Sequence, residues 1–302
     1  MQAFAPGIFP RSEALVQATR DLDRGRTTQD AVDAQIADDR EQLISVQREA
    51  GLDLLSDGML TWQDLFRPLL EASEGLEPGP LTRFLDTNTF YRAPHATTAT
   101  PALSGSLDAR HVADVPGSRV VTLPSPFALA HGTGASPQAM ADSVLKPALD
   151  ALDAELVVLS EPFLGRIGPD RVQELAAPLE SLAGGPKLAL QLTFCDARTA
   201  LENGLAELPV DGIGVDFYLT HISDLPKGLD KLVLAGVVDA RSSAVEDANE
   251  LAEFAQRIQD EREVEQIALV PNGDLQFVAQ PIALDKLRRL GAAKTATVGA
   301  AA

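Results

Sequence analysis

The constraint that most narrows the fold of this 302-residue chain is a repeated alternation of short apolar runs with stretches of helical period. The runs fall at 3–9, 52–56, 119–123, 156–160, 188–194, 212–217, 232–238 and 266–270, each rich in Val, Leu, Ile or Ala. Near-continuous apolar runs of this length fit strands covered on both faces, as in parallel sheets. Between them, 30–50 places Val32, Ile36, Leu43 and Val46 on one stripe behind a Thr27–Thr28 cap. Segments 138–152, 170–182, 197–208, 245–258 and 282–290 follow the same period. Strand then helix, joined by short connections, requires right-handed crossovers and a parallel sheet. Eight such strands predict an α/β chain forming one (β/α)8 TIM barrel across 1–302. An open doubly wound sheet is the other option, but no G-x-G-x-x-G turn follows the first run.

One stretch breaks the rhythm after the second βα unit. Residues 74–116 hold several prolines, no long helical period, and the cluster Arg83-Phe-Leu-Asp-Thr-Asn-Thr-Phe-Tyr-Arg92. The aromatics argue for an ordered excursion, a hairpin over the barrel mouth, rather than disorder. The small residues at 293–302 predict a flexible tail.

A net charge of −19 argues against nucleic acid and anionic membrane as partners. No apolar run reaches the roughly 18 residues a membrane span needs, and the first residues show no secretory leader pattern, so a cytoplasmic protein is expected. The single cysteine, Cys195, excludes an intramolecular disulfide.

In a barrel of this kind the active site lies at the C-terminal ends of the strands. Those ends deliver Arg11, Asp57, Ser160 with Glu161, Cys195 with Asp196, Asp216 with Tyr218, Asp239 with Arg241, and Asn272 with Asp274. A ring of acids suits an ammonium group, a metal or general acid–base work, and each Asp is also a good N-cap for the next helix. Glu161 stands out because Glu is a poor N-cap and Pro162 fixes the turn behind it. None of His95, His111, His131 or His221 lies within five residues of Cys195, so packing at a strand end is the favoured reading of that thiol over metal ligation. Trp62 and Tyr91 read either as stacking platforms for a flat ligand or as hydrophobic anchors.

Several blocks in order along the chain resemble the cobalamin-independent methionine synthase family. They are Gly7-Ile-Phe-Pro-Arg11, the Gln47–Gly58 block Q-R-E-A-G-L-D-L-L-S-D-G, Phe84-Leu-Asp-Thr-Asn-Thr-Phe-Tyr-Arg-Ala-Pro94, Ser160-Glu-Pro162, Leu208-Pro-Val-Asp-Gly-Ile-Gly-Val-Asp216 and Gly236-Val-Val-Asp-Ala-Arg241. That family usually joins two barrels, of which the C-terminal one binds zinc and homocysteine. Its zinc ligands come from H-x-C, a Glu and P-D-C, and the corresponding positions here read Thr193-Phe-Cys195, Asp216 and Pro271-Asn-Gly273. Its histidine after the seventh strand is Arg241 here. The chain therefore resembles the N-terminal, zinc-free half.

The resemblance implies methyl transfer from a methylated folate or other donor to a thiol such as homocysteine, with this chain as the zinc-free component beside a zinc-bearing sister barrel. It implies catalytic roles for Glu161, Asp216 and Asp239, and substrate contacts by Arg11, Asp57, Trp62, Asp86, Asn88, Tyr91, Ser160 and Arg241. Zinc is the one cofactor raised, with Cys195 as its only surviving ligand. Two other readings stand beside this one: a non-catalytic barrel binding folate or a partner, and a metal-free lyase or decarboxylase using the strand-end acids.

Overall fold

A computed structural model describes residues 1–107 and 111–296. The strands, in chain order, are β1 (Gln2–Ala3), β2 (Ser73–Glu74), β3 (Leu76–Arg83), β4 (Phe90–Ala96), β5 (Ala102–Leu103), β6 (Val120–Pro124), β7 (Leu156–Glu161), β8 (Lys187–Leu192), β9 (Gly212–Asp216), β10 (Leu232–Val238) and β11 (Ile267–Pro271). Seven of them form one curled parallel sheet in the order β1-β11-β10-β9-β8-β7-β6. Each sheet neighbour from β6 to β11 is also the next sheet strand along the chain, as consecutive right-handed crossovers produce.

The expected second strand, 52–56, is not one. It makes a single isolated bridge, Leu55 to Arg119. Side chains take the backbone groups that a ladder would have used. Asp53 Oδ2 accepts from Ala3 N at 2.8 Å, while Gln47 accepts from Ser56 N at 2.9 Å and donates to Ser56 O at 2.8 Å. Backbone bonds still run from Asp53 N to Ala3 O at 2.9 Å and from Val120 N to Leu55 O at 3.0 Å, so the segment touches both edges of the sheet. The expected first strand, 3–9, is likewise reduced to Gln2–Ala3. Pro6 donates no bond, and Gly7 turns the chain at φ +90°, where a Cβ would fall 2.1 Å from Asp274 Oδ1.

Inside the curl, Phe4, Leu54, Val120, Val158, Ala189, Leu234 and Val270 meet in one buried cluster. Outside it a larger core joins the sheet to the helices. Each large aliphatic side chain so buried contributes about 1.5–3 kcal/mol.

The helix Gln29–Glu49 starts behind Thr28, whose hydroxyl accepts from Ala31 N. The predicted helix at 138–152 forms with a wide π turn at Ala141–Leu145, immediately ahead of Pro147, whose missing N–H cannot continue the ordinary register. The predicted helix at 197–208 breaks at Gly204, where φ is +92°. A helix at Glu13–Asp23, capped by Ser12, lies where no element was expected. The last helix, Gln280–Thr295, runs past the residues at which a flexible tail was expected to begin; 297–302 lie outside the described residues. Gly291 sets its packing on the end of Gln29–Glu49, since a Cβ there would come 1.9 Å from Ala50 O. Within 74–116, β3 and β4 form an antiparallel hairpin and β2 pairs with β5.

Candidate functional site

The strand-end acids are mostly committed to the fold. Glu161, at the end of β7, is fully buried. Its Oε1 accepts from the N–H groups of Phe163 at 2.8 Å and Leu164 at 2.7 Å, and its Oε2 accepts from the Ser125 hydroxyl. Ser125 in turn caps the short helix Pro126–Ala130 through Ala128 N. Glu161 was expected to be free of capping, and the structure corrects this: it holds a turn from above and a cap from the side. Burial pushes its carboxyl up, and these hydrogen bonds pull it back down in part. Asp57 is similarly engaged, accepting from Met59 N at 3.0 Å and Ala113 N at 2.8 Å. Ser160 is buried beside Glu161, and its carbonyl accepts from Ser125 N.

Asp216, ending β9, is different. Its Oδ1 accepts from Tyr218 N at 2.9 Å, but the buried Oδ2 finds no hydrogen-bond partner of ordinary geometry among the described residues. Burial raises this carboxyl to about 6; the Asn272 amide, the Tyr218 N–H and Arg241 favour its charged form, and Asp239 opposes it. Asn272, at 0% exposure, links the neighbouring strand ends: its Oδ1 accepts from Ala240 N at 2.9 Å and its amide lies 3.5 Å from Asp239 Oδ1. Asp239 also accepts from Arg241 N at 3.0 Å. The structure thus brings Asp216, Asp239 and Arg241 together, and separates Glu161 from them by its commitments.

Cys195 is buried beside Gly165, where a Cβ would fall 2.4 Å from its sulfur. Burial first, then the charges of Asp216 and Glu161, push its thiol up to about 12. Among the described residues no three His, Cys, Asp or Glu side chains gather to hold a metal ion. The histidines are engaged elsewhere: His131 packs on Phe163 at 4.6 Å, His95 lies 3.9 Å from Glu77 in the hairpin, and His221 caps its own turn. These donors do not fit a zinc site, which needs a thiolate and further ligands converging on one point. Cys195 is therefore expected to resist a disulfide-forming thiol reagent in the native protein at about pH 8 and to react in full once unfolded in guanidinium. Rapid reaction of the native protein would reveal an accessible thiolate and overturn this account.

Aromatic side chains cover the mouth. Phe84 of the hairpin stacks on Phe277 at 5.8 Å and meets Tyr91 edge-on at 5.8 Å, while Phe163 lies against Phe66, Phe84 and Tyr91. Tyr91 is buried in this cluster, a core position for a residue expected at the ligand. Trp62, 2% exposed with its indole N–H donating to His111 O at 2.8 Å, is an anchor and not a stacking platform. Arg11, half-buried, donates to the carbonyls of Leu60 at 2.8 Å and Trp62 at 3.2 Å, so its guanidinium braces a loop. Asn88 accepts from Arg83 at 3.4 Å within the hairpin tip. Asp86, at the same tip, lies 3.4 Å from Arg166 and 3.8 Å from Arg241.

Sequence reasoning missed Ser125, Arg166, Phe194 and Phe277. Only Ser125 carried a signal, a Ser-Pro pair at a strand end, the pattern of a helix N-cap.

No family model matches the chain. The 5-methyltetrahydropteroyltriglutamate–homocysteine methyltransferase of Mycobacterium leprae is 25% identical to it over 284 residues, covering 79% of this chain and 37% of that protein. The protein of the same name from Mycobacterium tuberculosis is 27% identical with the same coverage. A B12-independent methionine synthase structure from Shewanella sp., in complex with selenomethionine, superposes with a TM-score of 0.66 at 16% identity, covering 89% of each chain. The chain is a relative of the cobalamin-independent methionine synthases. A candidate vitamin-B12-independent methionine synthase from Listeria monocytogenes has the same fold, with a TM-score of 0.70 at 14% identity and 96% of each chain covered. The match spans only 37% of the length of the curated methionine synthase relatives. No helix among the described residues is long and apolar enough to cross a membrane.

Proposed function

We propose that this chain is a methionine-synthase-type barrel that serves methyl transfer to a thiol as the zinc-free component, acting beside a zinc-bearing barrel. The observation that carries this is the donor set at the family's zinc positions, where Thr193-Phe-Cys195, Asp216 and Pro271-Asn-Gly273 stand in place of H-x-C, Glu and P-D-C and leave a single thiol. The names of the curated relatives supply the substrate classes, a methylated pteroyltriglutamate and homocysteine. A match to 37% of their length suits one barrel of a larger system. On this reading residues 1–302 are one domain, and the 52–55 segment, bonded to both sheet edges, is the eighth unit of a closed barrel. Asp216, Asp239 and Arg241 are the groups at the mouth left with capacity for a ligand.

The test is a homocysteine methylation assay with 5-methyltetrahydropteroyltriglutamate, using the purified chain alone, the chain with added zinc, and the chain mixed with a zinc-bearing barrel. Turnover is expected only in the mixture, above that of the zinc-bearing barrel by itself. Zinc-dependent turnover by the chain alone, lost in Cys195→Ser, would replace this proposal with a self-sufficient enzyme.

A further inference from the structure

Two arginines from different strand ends meet on a single acceptor. Arg166 follows β7 and Arg241 follows β10, and their guanidinium groups lie 3.4 and 3.8 Å from the same atom, Asp86 Oδ1. Both are organised by one residue. The Phe194 carbonyl accepts from Arg166 at 2.6 Å, and the Phe194 ring lies under the Arg241 guanidinium at 4.5 Å. Phe194 has a left-handed backbone, φ +56°, a conformation that persists in a non-glycine residue only where the surroundings enforce it. Its ring packs against Gly273, where a Cβ would fall 2.4 Å away, and edge-on against Phe277 at 5.5 Å. The two cations are therefore fixed from beneath, with 32% and 28% of their side chains exposed.

Their occupant is not fixed in the same way. The Asp86 side chain is 66% exposed, sits on the hairpin tip, and follows Leu85, itself held at φ +49°. It presents one oxygen to two guanidinium groups. Asp239, 4.0 Å from Arg241 Nε, and Asp216, whose charged form Arg241 favours, are the other acids facing the pair. Ion pairs this exposed are weak and easily exchanged.

We propose that Arg166 and Arg241 form an anion site at the barrel mouth for a small molecule bearing a carboxylate or phosphate, and that Asp86 is its resident plug. A planar guanidinium binds two-oxygen anions best, and a free carboxylate or phosphate offers each arginine an oxygen of its own. In a chain of net charge −19 such a site needs its own local cations, which the Phe194 platform supplies. The pair shares Arg241 with the groups assigned above to the mouth, but the inference concerns anion binding and is tested without methyl transfer.

The test is calorimetric titration of the full chain with citrate and, separately, with inorganic phosphate at low ionic strength. Wild type, Asp86→Asn and the Asp86→Asn/Arg241→Gln double variant would be compared, each checked by thermal melting. Removing the plug is expected to tighten binding of the preferred anion about fivefold over wild type, and the double variant is expected to lose it. Tighter citrate marks a carboxylate site, and tighter phosphate a phosphate site. Binding of neither anion by Asp86→Asn, or undiminished binding by the folded double variant, would overturn the proposal.

Discussion

Glu161→Ala is expected to lower the melting temperature by on the order of 10 °C, a larger loss than any surface substitution in this chain would cause. The carboxylate is fully buried and accepts from Phe163 N, Leu164 N and the Ser125 hydroxyl. Alanine leaves all three donors without their acceptor, each at about 1–3 kcal/mol, and opens a cavity beneath Pro162. Partial relaxation brings the total to roughly 3–5 kcal/mol. Glu161→Gln should lie between, because the amide oxygen still accepts from the two backbone groups while its NH2 faces a hydroxyl that must reorient. Thermal and urea unfolding of the three proteins checks the order. A Glu161→Ala melt within about 2 °C of wild type would show that the carboxylate does not hold the framework, leaving it free for a ligand.

Asp216→Asn should do the opposite at neutral pH. The carboxyl of Asp216 sits at about 6 in the folded chain against an ordinary 3.8, so the folded protein keeps a proton that the unfolded chain releases. Between those values rising pH therefore favours unfolding. The favourable contribution is fully present below about 3.8 and is lost as pH rises through about 6, leaving an ionised, fully buried group that costs about 3 kcal/mol at neutral pH. Asparagine keeps an oxygen for Tyr218 N and carries no charge into this site. The melting temperature of the variant should match or fall below wild type near pH 4 and exceed it at pH 7.5, the difference opening between those limits. A variant less stable than wild type at pH 7.5 would mean that Arg241 and Asn272 hold the ionised form, and that Asp216 is a standing anion.

The sheet order was legible because parallel strands covered on both faces must be apolar along their length, as β10 is throughout and β7 is from Leu156 to Leu159. The second strand misled for a related reason. Residues 52–56 are as apolar as a strand, yet Asp53 and Gln47 take backbone groups there through side chains, a competition that no periodicity records. The acid ring at the strand ends was equally visible, but not which acid would be free. Glu161 was singled out as a poor N-cap, and only the fold shows it capping a turn while holding Ser125 across a strand boundary.

By itself, the order of apolar runs and family-like blocks determined the α/β architecture, the kinship and the absence of a matching zinc-ligand pattern, since each depends on residue type and spacing along the chain. Tertiary structure alone decided the partners. Arg166, Phe194 and Asp86 come from three distant stretches, and they form one site because the curled sheet and the hairpin bring their ends together. Charge, burial and unpaired oxygens are properties of that meeting, so no local reading could assign them.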